Sequence, residues 1–257
     1  MGIHSTALID KKAVIGKDVQ IGPYCVVGPD VTIHDGAQLI AHVVIDGHTT
    51  VGARCVIFPF ACLGTITQDL KFKGERTYIK IGAGTTIREY VTVNGSTGAE
   101  TETVVGENCH IMAYAHIAHN CIVGNQVIIA NVGTLAGCVT IEDQAIIGGL
   151  SAVHQFCRIG KLAIVGGCSK VVQDIPPYTM ADGHPAVVRG LNTVGMKRKN
   201  ISEESQKELK AAFKILFKSG LNTSHALEQI RRELQSSEEL NQFIRFVETS
   251  ERGISKP

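Results

Sequence analysis

From Ile3 the chain repeats an aliphatic residue at every sixth position, and the frame holds from Ile9 and Ile15 through to Val165 and Val171. Of the 29 positions in that frame, 26 are Ile, Leu or Val. Four residues after each aliphatic stands a mostly small or β-branched residue, such as Ala13, Val19, Cys25, Ala115 or Cys121. The residue just after the aliphatic is often glycine, as at Gly16, Gly22, Gly124 and Gly148, where a tight corner needs unusual dihedrals. Each hexapeptide therefore reads as one short strand plus one turn. Three of them make a triangular coil of 18 residues, and the aliphatic residues fill the prism. Repeats of this kind are the signature of a parallel β-helix. A period of two would have favoured a sandwich, but the strict six through glycine corners argues against it.

The frame breaks twice, over Thr65–Tyr78 (with Gln68, Asp69, Lys71, Glu75 and Arg76) and over Gly95–Thr103. Long loops leaving a regular scaffold are where function tends to sit. After Val171 the period is lost, and Pro176-Pro177 stops the stacking. Ser202, ahead of Glu203 and Glu204, predicts a helix with Leu209, Ala212, Phe213 and Leu216 on one face and Gly220 closing it. A second helix is expected over about Ser224–Leu234. A third is expected to start at a capping box, Ser236-x-x-Glu239. The division that follows is a solenoid over 1–186, with its loop at 65–78, and a helical subdomain over 187–257.

Composition narrows the picture. Glycine is abundant at 27 residues and Trp is absent, which suits many tight turns better than an aromatic-cored fold. A net charge of +1 gives no global field for nucleic acid or an anionic membrane, so any polyanion must meet a local cluster. There is no apolar run of about 18 residues to span a bilayer and no secretory signal. Eight cysteines without a Cys-x-x-Cys pair are not a zinc framework. Five of them (Cys25, Cys55, Cys109, Cys121, Cys157) share one register and read as small buried hydrophobes, so reduced thiols and a cytoplasmic location are expected.

The repeat itself needs no imidazole, yet His116 and His119 interrupt it. In an 18-residue coil His119 and Gln155 share a column two coils apart, about 10 Å at the inter-strand spacing. His154 adjoins Gln155, and Cys138 adjoins the intervening position. A neutral histidine is the most available general base near neutral pH. No Ser-His-Asp order is evident, so the simplest chemistry is deprotonation of a substrate hydroxyl that then attacks an activated acyl carbon. Arg189, Lys197, Arg198 and Lys199 form a basic cluster suited to a phosphate or diphosphate. The competing readings are a γ-class carbonic anhydrase-like metalloenzyme, whose wider His-x4-His spacing His116 and His119 do not supply, and a non-catalytic solenoid.

Thr67-Gln68-Asp69-Leu70-Lys71, Ala115-His116-Ile117-Ala118-His119, Leu135-Ala136-Gly137, Ala152-Val153-His154-Gln155-Phe156-Cys157, Val165-Gly166-Gly167-Cys168-Ser169 and Gln173-Asp174-Ile175-Pro176-Pro177-Tyr178 closely resemble the UDP-N-acetylglucosamine 3-O-acyltransferases of lipid A biosynthesis. The resemblance covers essentially the whole chain. It implies a homotrimer of left-handed β-helices with sites between subunits, no cofactor and no metal. It also implies transfer of an (R)-3-hydroxyacyl chain from acyl carrier protein to the 3-position of a UDP-sugar, the first step of lipid A biosynthesis. Carried over, His119 matches the general base and Asp69 the acid beside it. Gln68, Lys71, His116, His154 and Gln155 match substrate contacts, Asn192 and Arg198 nucleotide contacts, and Gly167 the position limiting acyl length. The chain departs from the pattern at Cys138 (for His), Val194 (for an acid), Lys199 (for Arg) and Asn94-Gly95-Ser96-Thr97 (for His-Arg-Gly-Thr). Cys138 beside the sugar leaves a 3-amino analogue as the alternative acceptor.

Overall fold

The computed structural model describes residues 2–257. Strands of mostly two residues, from Gly2–Ile3 to Lys170–Val171, stack into three parallel sheets around a triangular prism. This is the left-handed parallel β-helix expected from the sequence. Within regular coils the pairing step is the predicted one: His116 opposes Thr134, and Thr134 opposes Ala152. The second residue of each strand points inward, so Ile33, Ile57, Ile87 and Ile111 are fully buried. Burying each such side chain contributes about 1.5–3 kcal/mol. The five register cysteines lie inside the prism as free thiols. Burial pushes them up, Cys121 to about 12, which makes them poor nucleophiles.

The two frame breaks are extruded loops that leave the coil intact. Cys62 pairs with Thr92 and Thr92 with His116, so the first excursion adds twelve residues to a coil and the second adds six. The two loops are fastened to each other. Gly98 N–H donates to Glu75 Oε1 at 2.9 Å, Tyr78 OH to Glu100 Oε2 at 2.7 Å, and Thr97 Oγ1 to Thr67 Oγ1 at 3.3 Å. Backbone N–H groups of Glu75 itself, Lys73 and Gly98 hold the Glu75 carboxyl below its ordinary value.

The prism has three corners, each a column of residues in the left-handed backbone region. The first column runs Tyr24, His42, Phe60, Tyr90, Tyr114, Val132, Leu150 and Cys168. The second includes Asn120, Cys138 and Phe156, and the third Asn108, Gln126, Gln144 and Leu162. We call these the ring corner, the site corner and the polar corner.

An antiparallel hairpin, Thr179–Gly183 with Ala186–Leu191, continues the eleven-stranded sheet across the expected 186/187 division. Backbone pairing of the hairpin to Ile164–Val165 carries the solenoid sheet on to Leu191. Four helices follow: α1 (Thr193–Arg198), α2 (Glu203–Lys218), α3 (Thr223–Glu233) and α4 (Glu238–Glu248). Ser202 caps α2 as predicted, and Asn222 caps α3. The third predicted start is corrected by one residue: Ser237, not Ser236, caps α4 by accepting from Leu240 N–H. Glu239 is drawn away from the expected box because its carboxylate accepts from Ser205 Oγ at 2.9 Å, tying α4 to α2. The tail docks through long-range polar contacts. Arg158 donates to the Thr249 carbonyl at 3.1 Å and stacks over Phe246 at 4.2 Å, while Ser250 Oγ donates to Asp174 Oδ2 at 2.7 Å. Among the described residues no helix is long and apolar enough to cross a membrane.

Candidate functional site

The site corner owes its chemistry to residue types that a plain hexapeptide turn does not require. His119 stands one residue before the left-handed position at Asn120 (φ 57°), with its side chain 20% exposed. Asn120 fixes how that ring is used. Thr97 N–H donates to Asn120 Oδ1 at 3.0 Å, which identifies that atom as the oxygen, and Nδ2 donates to the Thr97 carbonyl at 3.1 Å. The same Oδ1 lies 2.9 Å from His119 Nδ1, so Nδ1 carries the proton. The Nε2 lone pair is thereby left free of a proton, with Asp69 Oδ2 3.9 Å from that atom. Asp69 is itself set by a local turn: its Oδ1 accepts from Lys71 N–H at 3.0 Å, and its N–H donates to Thr67 Oγ1 at 3.2 Å.

The column argument places the remaining residues of this corner. Cys138 N–H donates to the His119 carbonyl and Phe156 N–H to the Gly137 carbonyl, so positions 119, 137 and 155 stack. A Cβ built at Gly137 would fall on the His119 ring, nearest Nε2. Glycine there is what lets the imidazole lie flat over the coil below. Cys138 is half-buried, and its thiol is pushed up first by burial and then by the Asp69 carboxylate, which places it beside that acid. His116 faces outward on its strand with Nδ1 2.7 Å from Thr92 Oγ1, and burial pulls it below the ordinary histidine value. Gln68, Lys71, His154 and Gln155 are exposed around this cluster, with His154 Nδ1 3.1 Å from the Gln155 carbonyl.

Other sequence-predicted residues lie elsewhere. Gly167 is on the ring corner, where an added Cβ would meet only the Gly149 carbonyl oxygen, at 3.3 Å. Lys199, which ends α1, donates from Nζ to Gln126 Oε1 on the polar corner at 2.9 Å. Asn192 lies at the joint of solenoid and tail. It is only 3% exposed, its Oδ1 accepts from Gly195 N–H at 2.9 Å, and its Nδ2 donates to the Leu162 carbonyl at 2.8 Å. Its amide caps α1 and seats that helix on the solenoid, which positions the basic end (Lys197, Arg198). Val194 is exposed on α1 and makes no charge there. One side of the triangle is about six residues, roughly 20 Å at the strand rise. The candidate residues therefore occupy three separate corners of one chain, about 20 Å apart.

The sequence reading passed over Asn120 and Gly137, although Gly137 stands in a segment it singled out and Asn120 directly follows one. The available signal was positional: Asn120 follows the candidate base, and Gly137 sits one coil below it. A second feature lies on the tail, where α1 and α2 enclose a groove of about 970 Å³. Leu191, Met196, Ile201 and Phe213 line its apolar part, and Lys207, Lys210, Lys214 and Lys218 stand along it.

Comparison with known proteins agrees with this fold. The family model for domain 2 of UDP N-acetylglucosamine O-acyltransferase matches residues 174–255, and bacterial transferase hexapeptide models match 2–34, 12–47 and 102–133. The chain is 50% identical over 255 residues to the acyl-[acyl-carrier-protein]–UDP-N-acetylglucosamine O-acyltransferase of Thermodesulfovibrio yellowstonii, covering 99% of each. It is 44% identical to the protein of the same name from Herminiimonas arsenicoxydans, covering 98% of each. Among solved structures, LpxA from Acinetobacter baumannii superposes with a TM-score of 0.95 at 46% identity, covering 98% of this chain and 99% of that one. The UDP-N-acetylglucosamine acyltransferase of Bacteroides fragilis superposes with a TM-score of 0.96 at 39% identity, covering 98% and 99%.

Proposed function

The chain belongs to the UDP-N-acetylglucosamine O-acyltransferase family, and on that premise we propose that it moves an acyl group from acyl carrier protein to the 3-hydroxyl of UDP-N-acetylglucosamine, with His119 as general base. One observation carries the assignment of the base: Asn120 holds the Nδ1 proton, so His119 Nε2 is free and unblocked over Gly137. Nε2 takes the proton of the sugar hydroxyl while the oxygen attacks the carbonyl carbon of the carrier-bound thioester. The tetrahedral adduct then collapses, the carbon–sulfur bond breaks, and the imidazolium returns its proton to the departing thiolate. Asp69, 3.9 Å from Nε2, stabilises the imidazolium formed between the two steps. Proton transfer by a positioned base is worth about 10²–10⁴-fold in rate.

The spread of candidate residues over three corners supports an active site between copies of the chain, in a homotrimer. His119 and Asp69 come from one copy, and Gly167, Arg198 and Lys199 from its neighbours. Gly167 leaves space for a long acyl chain, consistent with an (R)-3-hydroxyacyl donor of lipid A biosynthesis. The lysines along the tail groove suit the acidic carrier. The test is purified protein with 3-hydroxyacyl carrier proteins of several lengths and the 3-hydroxy and 3-amino nucleotide sugars, read by mass spectrometry. The expected product is the ester, and His119→Ala lowers its rate by at least a hundredfold while the circular dichroism of the fold is unchanged. A His119→Ala protein that keeps most of the rate refutes the base assignment, and an amide product in place of the ester refutes the acceptor.

A further inference from the structure

The peptide that joins Thr97 to Gly98, in the second extruded loop, is bonded on both of its edges. Its carbonyl accepts from Asn120 Nδ2 at 3.1 Å, and its N–H donates to Glu75 Oε1 at 2.9 Å. A peptide unit is planar, so its two polar groups turn together. Whatever fixes the N–H also fixes where the carbonyl points. Glycine at position 98 leaves that orientation open to choice. Its φ is 103°, outside what other residues adopt, and an added Cβ would meet only Thr101, at 3.5 Å. The glycine is there for its dihedral and not for want of room. Because glycine tolerates φ of either sign, the peptide before it can turn over by about half a turn, as between type I and type II turns. In the turned state the Thr97 carbonyl faces the Glu75 carboxylate, and the N–H faces the Asn120 amino group. Both bonds are lost and both contacts repel. Glu75 is anchored on its own side, where Oε2 accepts from Lys73 N–H at 2.7 Å. Thr101 does not replace it. The one proton of that hydroxyl goes to the Gly98 carbonyl, at 2.7 Å against 3.1 Å for the carbonyl of Thr97.

We propose that Glu75 is a positioning residue for the candidate base: by fixing the Thr97–Gly98 peptide it sets the Asn120 amide and, through that amide, the tautomer of His119. The inference rests on the reading of His119 as the base and names what holds that base ready. Asn120 keeps Oδ1 toward His119 Nδ1 because Thr97 N–H meets Oδ1 and the Thr97 carbonyl meets Nδ2. Turning over the Thr97–Gly98 peptide removes the second of those anchors and sets an N–H against Nδ2. An amide that reverses in response presents Nδ2 to the ring. The ring then accepts at Nδ1 and carries its proton on Nε2, which leaves no lone pair there for a sugar hydroxyl. Thr97 also reaches the other partner of the base. Its Oγ1 donates to Thr67 Oγ1 at 3.3 Å, and that oxygen accepts from Asp69 N–H at 3.2 Å. The two frame breaks are thus halves of one latch, closed by a carboxylate that takes an N–H from each loop.

The tautomer is readable without substrate, by nitrogen NMR of isotope-labelled histidine at mildly alkaline pH, where the rings are neutral. The His119 signals are assigned by their loss in His119→Gln. The unaltered protein is expected to show the proton on Nδ1. In Glu75→Ala those signals are expected to move toward a free histidine side chain, which holds its proton mostly on Nε2, while the His116 signals stay. The transfer kcat is expected to fall about tenfold, with the KM for the sugar nucleotide changed less than about twofold. Glu75→Gln, whose amide oxygen can still take the Gly98 N–H, is expected to regain most of that loss. Tyr78→Phe removes another bond between the same loops, from Tyr78 OH to Glu100, and is expected to keep both rate and tautomer. Asn120→Gly keeps the left-handed turn without the amide, and adding Glu75→Ala to it is expected to cost less than about twofold more. A folded Glu75→Ala protein with the His119 proton still on Nδ1, full additivity of the two losses, or an equal loss in Tyr78→Phe overturns the latch. So does an unaltered protein with the proton on Nε2. Should Glu75→Ala fail to fold, the Gly98 amide of the unaltered protein decides: deuterium exchange at the free-amide rate overturns the latch, and strong protection sustains it. A tautomer that moves in Glu75→Ala, in a protein without transferase activity, leaves the latch standing and removes the proposed function instead.

Discussion

Asn120 gives His119 a partner that accepts a hydrogen bond and can take neither a proton nor a full negative charge. Replacing it with a carboxylate therefore changes electrostatics more than shape. In Asn120→Asp the added charge, 2.9 Å from Nδ1, favours the imidazolium, so the acid limb of the pH–rate profile moves to higher pH by about one unit. The profile of kcat/KM against pH reads this directly, and an unmoved limb means that Oδ1 does not face Nδ1 in the working enzyme. His116 gives a pH effect on stability instead. Its folded value lies below the ordinary one because burial disfavours the charged ring. Between that folded value and about 6.5 the unfolded chain binds the extra proton. Stability is therefore full above about 6.5 and is lost as pH falls through the window. In His116→Gln, which can still meet the Thr92 hydroxyl, urea midpoints between pH 5 and 7.5 are expected to fall less steeply than in the unaltered protein. At this scale the sequence was legible where a residue type was out of place, as at His119 and Asp69. It was opaque where the function lies in an absence, as at Gly137, or in an ordinary turn residue such as Asn120.

The elements were legible to the extent that one period builds them. Every strand of the solenoid repeats the same inward aliphatic and corner, so the frame from Ile3 to Val171 fixes the coil, and its breaks locate both loops. The joint to the tail was not legible, because its partners are far apart in the chain: Arg158 meets Thr249 and Glu142 meets Gln242, about a hundred residues away. The α4 start was missed by one residue because two adjacent serines suit a cap equally, and the choice is made by Ser205 on another helix, which takes Glu239. At that joint Glu142 accepts from Lys161 N–H at 2.8 Å and from Gln242 at 3.4 Å, with Arg158 at 3.8 Å too distant to offset its burial, and its carboxyl is held above the ordinary value. Above about pH 4.5 the folded state thus retains a proton that the unfolded chain releases, and stability falls as pH rises through the folded value. Glu142→Gln keeps the acceptor without the buried charge. Its melting temperature is expected to exceed that of the unaltered protein at pH 7.5, with the difference vanishing near pH 4.5. A lower melting temperature at pH 7.5 would mean that the Arg158 contact outweighs burial.

The whole molecule carries a net charge of +1, so it has no long-range field with which to collect an acidic carrier protein. Any steering must be local, and we place it on the tail. Lys207, Lys210, Lys214 and Lys218 recur at helical spacing along α2 beside the groove that α1 closes, and among the residues lining that groove only Glu203 opposes them. The Lys207–Lys218 row belongs to the tail, apart from the solenoid corner that holds His119. Charge reversal there should accordingly change donor capture and leave the chemical step alone. In Lys207→Glu/Lys210→Glu/Lys214→Glu the apparent KM for acyl carrier protein is expected to rise about tenfold or more at low salt, with kcat at saturating donor close to unaltered. The difference should shrink as ionic strength shortens the Debye length from roughly 10 Å at 0.1 M to 3 Å at 1 M. A short acyl-pantetheine thioester, which carries the same reacting carbon without the acidic protein, controls for the active site, and its kcat/KM is expected to be equal in the two enzymes. Equal loss with both donors would place the damage at the reacting centre, and no loss with either would remove the tail from carrier recognition. The proposed division, carrier on the tail and chemistry at the solenoid corner, is what predicts the split in KM with the protein donor alone.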